Sequence, residues 1–101
     1  MVTTVSKQEA EKISRQLLKE KLIACANVIG PVSSFFHWSG KIEAVEEYLV
    51  LMKSRADLFE RLSDRVRVMH SYAVPEILGI PVVEGSKAYL DWLGSCLEVV
   101  S

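Results

Sequence analysis

Five consecutive apolar residues, Tyr48 to Met52, constrain the fold of this chain more than any other feature. They end a run that starts at Ile42, just after the tight-turn signal Ser39-Gly40, and this pattern predicts a strand. A strand that is apolar on both faces is typical of one that is covered on both sides. The fold therefore needs a layer of protein on each face of this strand.

Two segments show the spacing of amphipathic helices. The first is predicted to begin at Ser6, because Ser6 and Glu9 form the S-x-x-E pattern in which a hydroxyl and a carboxylate cap free backbone N–H groups. It continues to about Lys21, with apolar positions Ala10, Ile13, Leu17 and Leu18. The second is predicted from Ser54 to His70, with apolar positions Leu58, Leu62, Val66 and Met69. Ser86 opens a third, shorter helix.

Strand patterns fill the remaining segments. A short strand is predicted near the start, and a long one from Leu22 to Trp38 with a bulge or bend at Gly30-Pro31, since proline cannot donate to a ladder. The segment V-P-E-I-L-G-I-P-V-V, residues 74–83, carries two prolines and is predicted to be a strand in which they mark a sheet edge or a strand end.

The predicted order β-α-β-β-α-β-α belongs to the α+β class, as a ferredoxin-like split βαβ sandwich with an added C-terminal helix. Its four-stranded sheet carries helices on one face only. Because the strand at 48–52 is apolar on both faces, another copy of the chain is expected to cover the second face.

Composition narrows the function classes. The 101 residues predict a single domain, 1–101, and the net charge of -1 makes binding of nucleic acid or an anionic membrane a poor hypothesis. A hydrophobic content of 50% is high for a small monomer and favours oligomerisation. Cys25 and Cys96 have no CxxC or metal-finger spacing, and with no signal-peptide or membrane-span pattern the sequence predicts a cytoplasmic setting.

The sequence contains no P-loop, dinucleotide-binding, elbow-serine or zincin motif, so no enzyme is predicted. RNA-recognition domains share the predicted topology, but the exposed sheet aromatics and the basic face that bind RNA are missing.

Five segments, in order and at matching spacing, resemble the CutA family, which is linked to tolerance of divalent cations. They are E-K-L-I-A-C-A-N-V-I at 20–29, F-H-W-S-G-K-I at 36–42, M-K-S at 52–54, H-S-Y-A-V-P-E-I at 70–77 and Y-L-D-W-L at 89–93. The resemblance implies a compact homotrimer similar to the nitrogen-regulatory PII proteins, with long second and third strands that pair with a neighbour. It also implies binding of copper and other divalent ions, with no firmly assigned catalysis. Ser71 and His37 depart from the family pattern, which usually has proline and an aromatic residue there.

The segment from His70 to Glu76 holds most of the candidate site residues. His70 is expected at a helix C-terminus, where imidazole interacts favourably with the helix dipole, or it is a metal ligand with Glu76 and Cys25 as partners. Glu76 is either an edge-strand charge that discourages aggregation or a pocket carboxylate that faces the next subunit. Tyr72 can donate a hydrogen bond to such a carboxylate.

Cys25 lies in a strand, where a thiol is usually a small hydrophobe, and it becomes reactive only if a cation such as Lys53 lowers its pKa. Asn27 shares its strand face, so the two can line one cleft. Trp38 and Lys41 flank the turn and are predicted to form a hairpin that packs on a neighbouring subunit.

The sequence therefore predicts a cytoplasmic homotrimer, not an enzyme, that requires no cofactor and binds divalent metal ions, copper(II) first, or a small ligand in clefts between subunits. The predicted cleft residues are Cys25, Asn27, Trp38, Lys53, His70, Tyr72 and Glu76, with His70, Glu76 and Cys25 as the metal ligands. Two alternatives stay open. One is a hydrolase with His70 as base and Lys53 as anion stabiliser, and the other is a structural trimer that serves as an assembly platform.

Overall fold

The computed structural model describes residues 1–99. Over these residues the chain forms a three-stranded antiparallel sheet and three α-helices. The strands are β1 (Val2–Thr4), β2 (Cys25–Trp38) and β3 (Lys41–Lys53), and the helices are α1 (Lys7–Lys19), α2 (Phe59–Met69) and α3 (Lys87–Ser95). A short 3-10 helix, Ala56–Leu58, leads into α2.

The strand order is β1-β3-β2, and β3 is antiparallel to both of its neighbours. The strands β1 and β2 therefore run parallel to each other, with β3 between them and α1 connecting them. This is the predicted split βαβ arrangement, and the α+β class is confirmed, but the sheet has three strands and not the predicted four.

The predicted strand over 74–83 is wrong in extent. Ile77 forms an isolated antiparallel bridge with Val2, and the Leu78 N–H donates to the Met1 carbonyl over 3.0 Å, but no ladder continues on either side. Pro75 and Pro81 flank this bridge and cannot donate backbone hydrogen bonds, which limits the pairing to the residues between them.

The helix α1 begins as the capping pattern predicts. The Glu9 N–H donates to the Ser6 hydroxyl over 3.1 Å, while the Glu9 carboxylate accepts from the Val5 N–H over 3.3 Å. Leu17 is fully buried, but the prediction for Leu18 is wrong, because its side chain is 41% exposed. A rotation of about 100° per residue carries Leu18 past the edge of the buried stripe.

The strands β2 and β3 form a long hairpin whose turn, Ser39 and Gly40, has positive φ at both residues (50° and 76°), as a tight two-residue hairpin turn requires. The predicted bulge lies between Ile29 and Val32, where β2 holds one residue more than β3. Gly30 allows Tyr48 to approach closely, because a Cβ at this position would lie 2.5 Å from the tyrosine ring.

The helices cover one face of the sheet. Val2 and Val50 are fully buried there with apolar residues of α1 and α2. Leu49 and Leu51 point to the opposite face, remain partly exposed and lie outside this core. We call this second surface the bare face; its residues in the wider part of the sheet are Cys25, Asn27, Ile29, Leu49, Leu51 and Lys53.

Beyond the bulge the hairpin extends away from the helices, and the molecule is accordingly elongated, 44 × 27 × 23 Å. We call residues 32–45 the arm and the remainder of the described chain the body. Phe35, Trp38 and Ile42, all in the arm, are 72%, 67% and 72% exposed. One copy of the chain therefore leaves large apolar side chains of the arm in water.

Candidate functional site

His70 ends α2, as predicted. It is the C-cap residue, and its backbone N–H donates to the Val66 carbonyl over 2.8 Å. Its side chain is fully buried. The imidazole is thus part of the body and is not presented to solvent by a single copy of the chain.

Both ring nitrogens of His70 have backbone partners. Nε2 lies 2.7 Å from the Thr3 carbonyl oxygen, and Nδ1 accepts a hydrogen bond from the Tyr72 N–H over 3.0 Å. Because a carbonyl can only accept and a backbone N–H can only donate, Nε2 carries the proton and Nδ1 does not. The ring is therefore the neutral Nε2–H tautomer, and both of its nitrogens are occupied within the chain.

Tyr72 donates its phenolic hydrogen bond to Glu47, over 2.8 Å to Oε2. The sequence predicted a carboxylate partner for this hydroxyl but considered Glu76, which is exposed. Burial, followed by the hydrogen bond to Glu47, raises the pKa of Tyr72 to about 12. The phenol is therefore neutral at physiological pH and acts as a donor.

His70 and Tyr72 form a cluster with Glu47 and Glu9, which we call the His70 cluster. The sequence did not identify Glu47 or Glu9 as site residues. Glu47 is 6% exposed and forms no ion pair among the described residues. Glu9 accepts a hydrogen bond from the Ser71 N–H over 3.0 Å, and its Oε1 lies 3.9 Å from His70 Nε2. The available signals were a carboxylate placed directly before the apolar run of β3 and a capping glutamate in the first turn of α1.

The pKa of the Glu9 carboxyl reflects two opposing effects. Burial is the largest single cause and raises this pKa, the hydrogen bonds from Ser71 and Val5 lower it, and the net pKa is lowered. Glu9 is thus a charged carboxylate that links the start of α1 to the residue after His70.

Cys25 and Asn27 share the bare face, as predicted, and Lys53 lies directly across from Cys25 in the ladder. The Lys53 ammonium donates to the Asn27 side-chain oxygen. Both cysteines are free thiols and partly buried, and Cys96 packs against the core at the end of α3.

Trp38 and Lys41 are cross-strand partners at the tip of the arm, which confirms that they belong to one hairpin. They are therefore separated from the His70 cluster by the length of the arm. Within residues 1–99 no group of three or more His, Cys, Asp or Glu side chains could hold a metal ion. The predicted ligands His70, Glu76 and Cys25 are accordingly not gathered within one copy of the chain.

An apolar cavity of about 750 Å³ lies elsewhere, between α3, the segment 77–82 and the end of β3. Its lining includes Leu51, Phe59, Ile80 and Leu90, with Arg55 and Ser54 as polar members. None of the predicted site residues lines it. In the described part of the chain, no helix is long and apolar enough to cross a membrane.

Known proteins match the chain over nearly its whole length. The family model described as CutA1 divalent ion tolerance protein matches residues 1–96. The divalent-cation tolerance protein CutA of Archaeoglobus fulgidus is 44% identical over 97 residues, which cover 96% of this chain and 94% of that protein. These proteins are named for tolerance to divalent cations and not for a reaction.

Solved structures agree with this comparison. The divalent cation tolerance protein (Cut A1) of Thermus thermophilus superimposes with a TM-score of 0.94 at 36% identity, over 96% of this chain and 94% of that chain. The structure called periplasmic divalent cation tolerance protein CutA, from Archaeoglobus fulgidus, gives a TM-score of 0.93 at 44% identity with the same coverage. The chain belongs to the CutA1 divalent ion tolerance protein family.

Proposed function

We propose that the protein is a homotrimer that binds divalent metal ions, copper(II) first, or a small ligand, in clefts between subunits, and so contributes to divalent-cation tolerance. The observation that carries this proposal is the apolar surface that one copy exposes. Besides the arm, this surface includes Val74, Val82 and Val83, which are 89%, 76% and 90% exposed. Apolar surface on this scale is typical of a protein–protein interface.

Two unpaired backbone segments support assembly between copies. The strand β2 is an edge strand of 14 residues, and an edge of this length is a template for pairing with another chain. The segment 79–84 is apolar up to Glu84 and pairs with no strand among residues 1–99. If segment 79–84 of one copy pairs with β2 of the next, the contact is head-to-tail. Such a contact forms a ring when the rotation from copy to copy returns to the first copy. The number three comes from the resemblance to the CutA family.

The polar residues near these surfaces support a ligand cleft shared by two copies. Glu76 is exposed, Cys25 is partly buried, and Glu47 is a nearly buried carboxylate without an ion pair among the described residues. Carboxylate ligands with imidazole suit copper(II), and a thiolate shifts the preference to softer ions. His70 can serve as a ligand only if one ring nitrogen gives up its backbone partner. For a small ligand, the Lys53 ammonium and the Asn27 amide offer the polar contacts.

The experiment combines a mass measurement in solution with calorimetric titration of copper(II) and a thermal-shift panel of divalent metals and metabolites. We expect a trimer whose melting temperature rises with copper(II), because a ligand that binds only the folded state stabilises it. Glu76→Gln and Cys25→Ser should each weaken copper binding, whereas Glu11→Gln, at an exposed carboxylate of α1 outside the proposed interface, should not. A monomer would overturn the proposed assembly. A trimer with no response in the panel would overturn ligand binding and favour the assembly platform.

The hydrolase alternative has less support. It requires His70 as a general base with a free nitrogen in reach of substrate. Nδ1, the unprotonated nitrogen, accepts a hydrogen bond from the Tyr72 N–H, and the ring is fully buried. We therefore do not assign His70 a catalytic role.

We place the protein in the cytoplasm, and the two free thiols support this, since a reducing compartment keeps thiols unpaired. The related structure from Archaeoglobus fulgidus is called periplasmic. Fractionation of the source cells tests the assignment, and recovery in a periplasmic or secreted fraction would overturn it.

A further inference from the structure

We propose that His70 is a positioning residue: as the neutral Nε2–H tautomer it fixes the backbone at Tyr72, and so holds the Tyr72 hydroxyl on Glu47. This role makes His70 a support for the buried carboxylate and not a metal ligand. It rests on contacts within one copy of the chain, so it does not depend on the proposed trimer, and among the candidate metal ligands it removes His70 only.

The hydrogen-bond partners of the His70 imidazole allow only one tautomer and one ring orientation. Thr3 offers a carbonyl and Tyr72 offers a backbone N–H, and neither group can exchange the role of donor for that of acceptor. A ring turned by 180° would place carbon atoms at both positions and lose both hydrogen bonds. The imidazole thus joins β1, through Thr3, to the chain just after α2.

Tyr72 is held at both ends by this arrangement. Its backbone N–H is bonded to His70 Nδ1 over 3.0 Å, and its hydroxyl is bonded to Glu47 Oε2 over 2.8 Å. The two rings also pack on each other, with centroids 4.9 Å apart and planes inclined by 46°. The position of the hydroxyl therefore depends on the backbone position that His70 sets.

Glu47 is the residue that gains from this support. The residue is 6% exposed, and the bond from Tyr72 is the side-chain hydrogen bond found for its carboxylate among the described residues. A buried carboxylate that loses its hydrogen-bond donor lowers the stability of the fold, because no other hydrogen bond replaces those it made to water. Release of Tyr72 would therefore affect Glu47, which lies on β3 next to the arm.

The first test observes the imidazole in the unmodified protein. Nitrogen-15 NMR of the histidine side chains should show His70 with a protonated Nε2 and an unprotonated Nδ1 at neutral pH. Addition of zinc chloride, a diamagnetic probe, should leave both His70 nitrogens unshifted. The histidine signals of the urea-unfolded protein supply the reference for an imidazole without fixed partners. An Nδ1–H tautomer, or a zinc-dependent shift at His70 Nδ1, would overturn the proposal.

The second test separates the two hydrogen bonds. In His70→Asn the side-chain oxygen can replace Nδ1 as acceptor for the Tyr72 N–H, whereas in His70→Gln the longer amide can replace Nε2 as donor to Thr3 but leaves the Tyr72 N–H without Nδ1. The ionisation of Tyr72, identified by comparison with Tyr72→Phe, is followed through the carbon-13 shift of its ring Cζ.

We expect the pKa of Tyr72 to stay near 12 in His70→Asn and to fall part of the way toward the ordinary value of 10 in His70→Gln. Only the second variant releases the hydroxyl from Glu47, while burial, the larger cause of the raised pKa, remains. Unchanged ionisation in both folded variants would contradict a positioning role. If neither variant folds, the result of the nitrogen-15 measurement on the unmodified protein decides. None of these outcomes depends on copper binding, so failure of the metal proposal leaves this test intact.

Discussion

The body and the arm share the same two strands but differ in what lies against them. In the body, Val50 is fully buried against the helices. Eight residues earlier on the same face of β3, Ile42 is 72% exposed. Phe35, which pairs with Ala44 and so lies diagonally from Ile42 on that face, is equally exposed. The hydrogen-bonded ladder continues through both regions.

This difference separates two sources of stability. The backbone ladder forms in the arm without a core of its own, but a two-stranded hairpin alone is at best marginally stable in water. The body obtains its stability from burial of apolar side chains. The arm is therefore expected to obtain its stability from another copy of the chain, and the following variants test that division.

The largest effect, on the association of copies of the chain, is expected from Phe35→Glu combined with Ile42→Glu. Both positions lie on one face of the arm, so assembly would bury two carboxylates without partners. We expect association to weaken by at least 100-fold, on the order of 3 kcal/mol, with the fold of the body retained. Sedimentation should show a monomer, and the circular dichroism spectrum should be unchanged. Val68→Glu, at a residue 74% exposed on α2, is the matched control and should leave assembly intact. If Val68→Glu weakened assembly as much as the double variant of the arm, the arm would not be the region that another copy stabilises.

The next effect concerns two adjacent leucines of the body. Leu17 is fully buried and Leu18 is 41% exposed. Leu17→Ala should lower the free energy of unfolding by about 2–5 kcal/mol, since it removes buried methyl groups and leaves a cavity. Leu18→Ala should change it by less than about 0.5 kcal/mol. Urea unfolding at one fixed protein concentration measures both. A large loss at Leu18 would place that face of α1 in an interface.

The smallest effect is a dependence on pH. The pKa of Glu9 is below its ordinary value of 4.5, so its ionised form stabilises the fold above that pH. This stabilisation is lost as the pH falls through the lowered pKa, because the carboxylate must then be protonated. The advantage of the unmodified protein over Glu9→Gln should therefore shrink as the pH falls below about 4.5 in acid unfolding curves. Glu11→Gln, on the solvent side of the same helix, should show no such change. A pH-independent difference for Glu9→Gln would contradict this assignment.

Local patterns predicted most of the fold. The S-x-x-E cap, the Ser39-Gly40 turn and the bulge near Gly30-Pro31 are set by neighbouring residues, and each was found where the sequence placed it. The segment 74–83 was predicted incorrectly, because whether an extended apolar segment joins a sheet depends on a partner strand and not on its own pattern.

The candidate site was less predictable for a similar reason. That His70 ends a helix follows from its position in the sequence, but its partners Thr3 and Glu9 lie more than 60 residues away. The Tyr72 hydroxyl needed a carboxylate, and the sequence offered Glu76, four residues on, while the fold supplies Glu47 from β3. Such contacts arise only when the sheet and helices are assembled.

The bulge between Ile29 and Val32 has a consequence for how copies of the chain combine. A single extra residue in β2 bends the strand and increases its twist, and thereby sets the direction in which the arm leaves the body. In a head-to-tail assembly, that direction determines the rotation from one copy to the next. The choice between a closed ring and an open filament can thus depend on one residue inserted near Gly30.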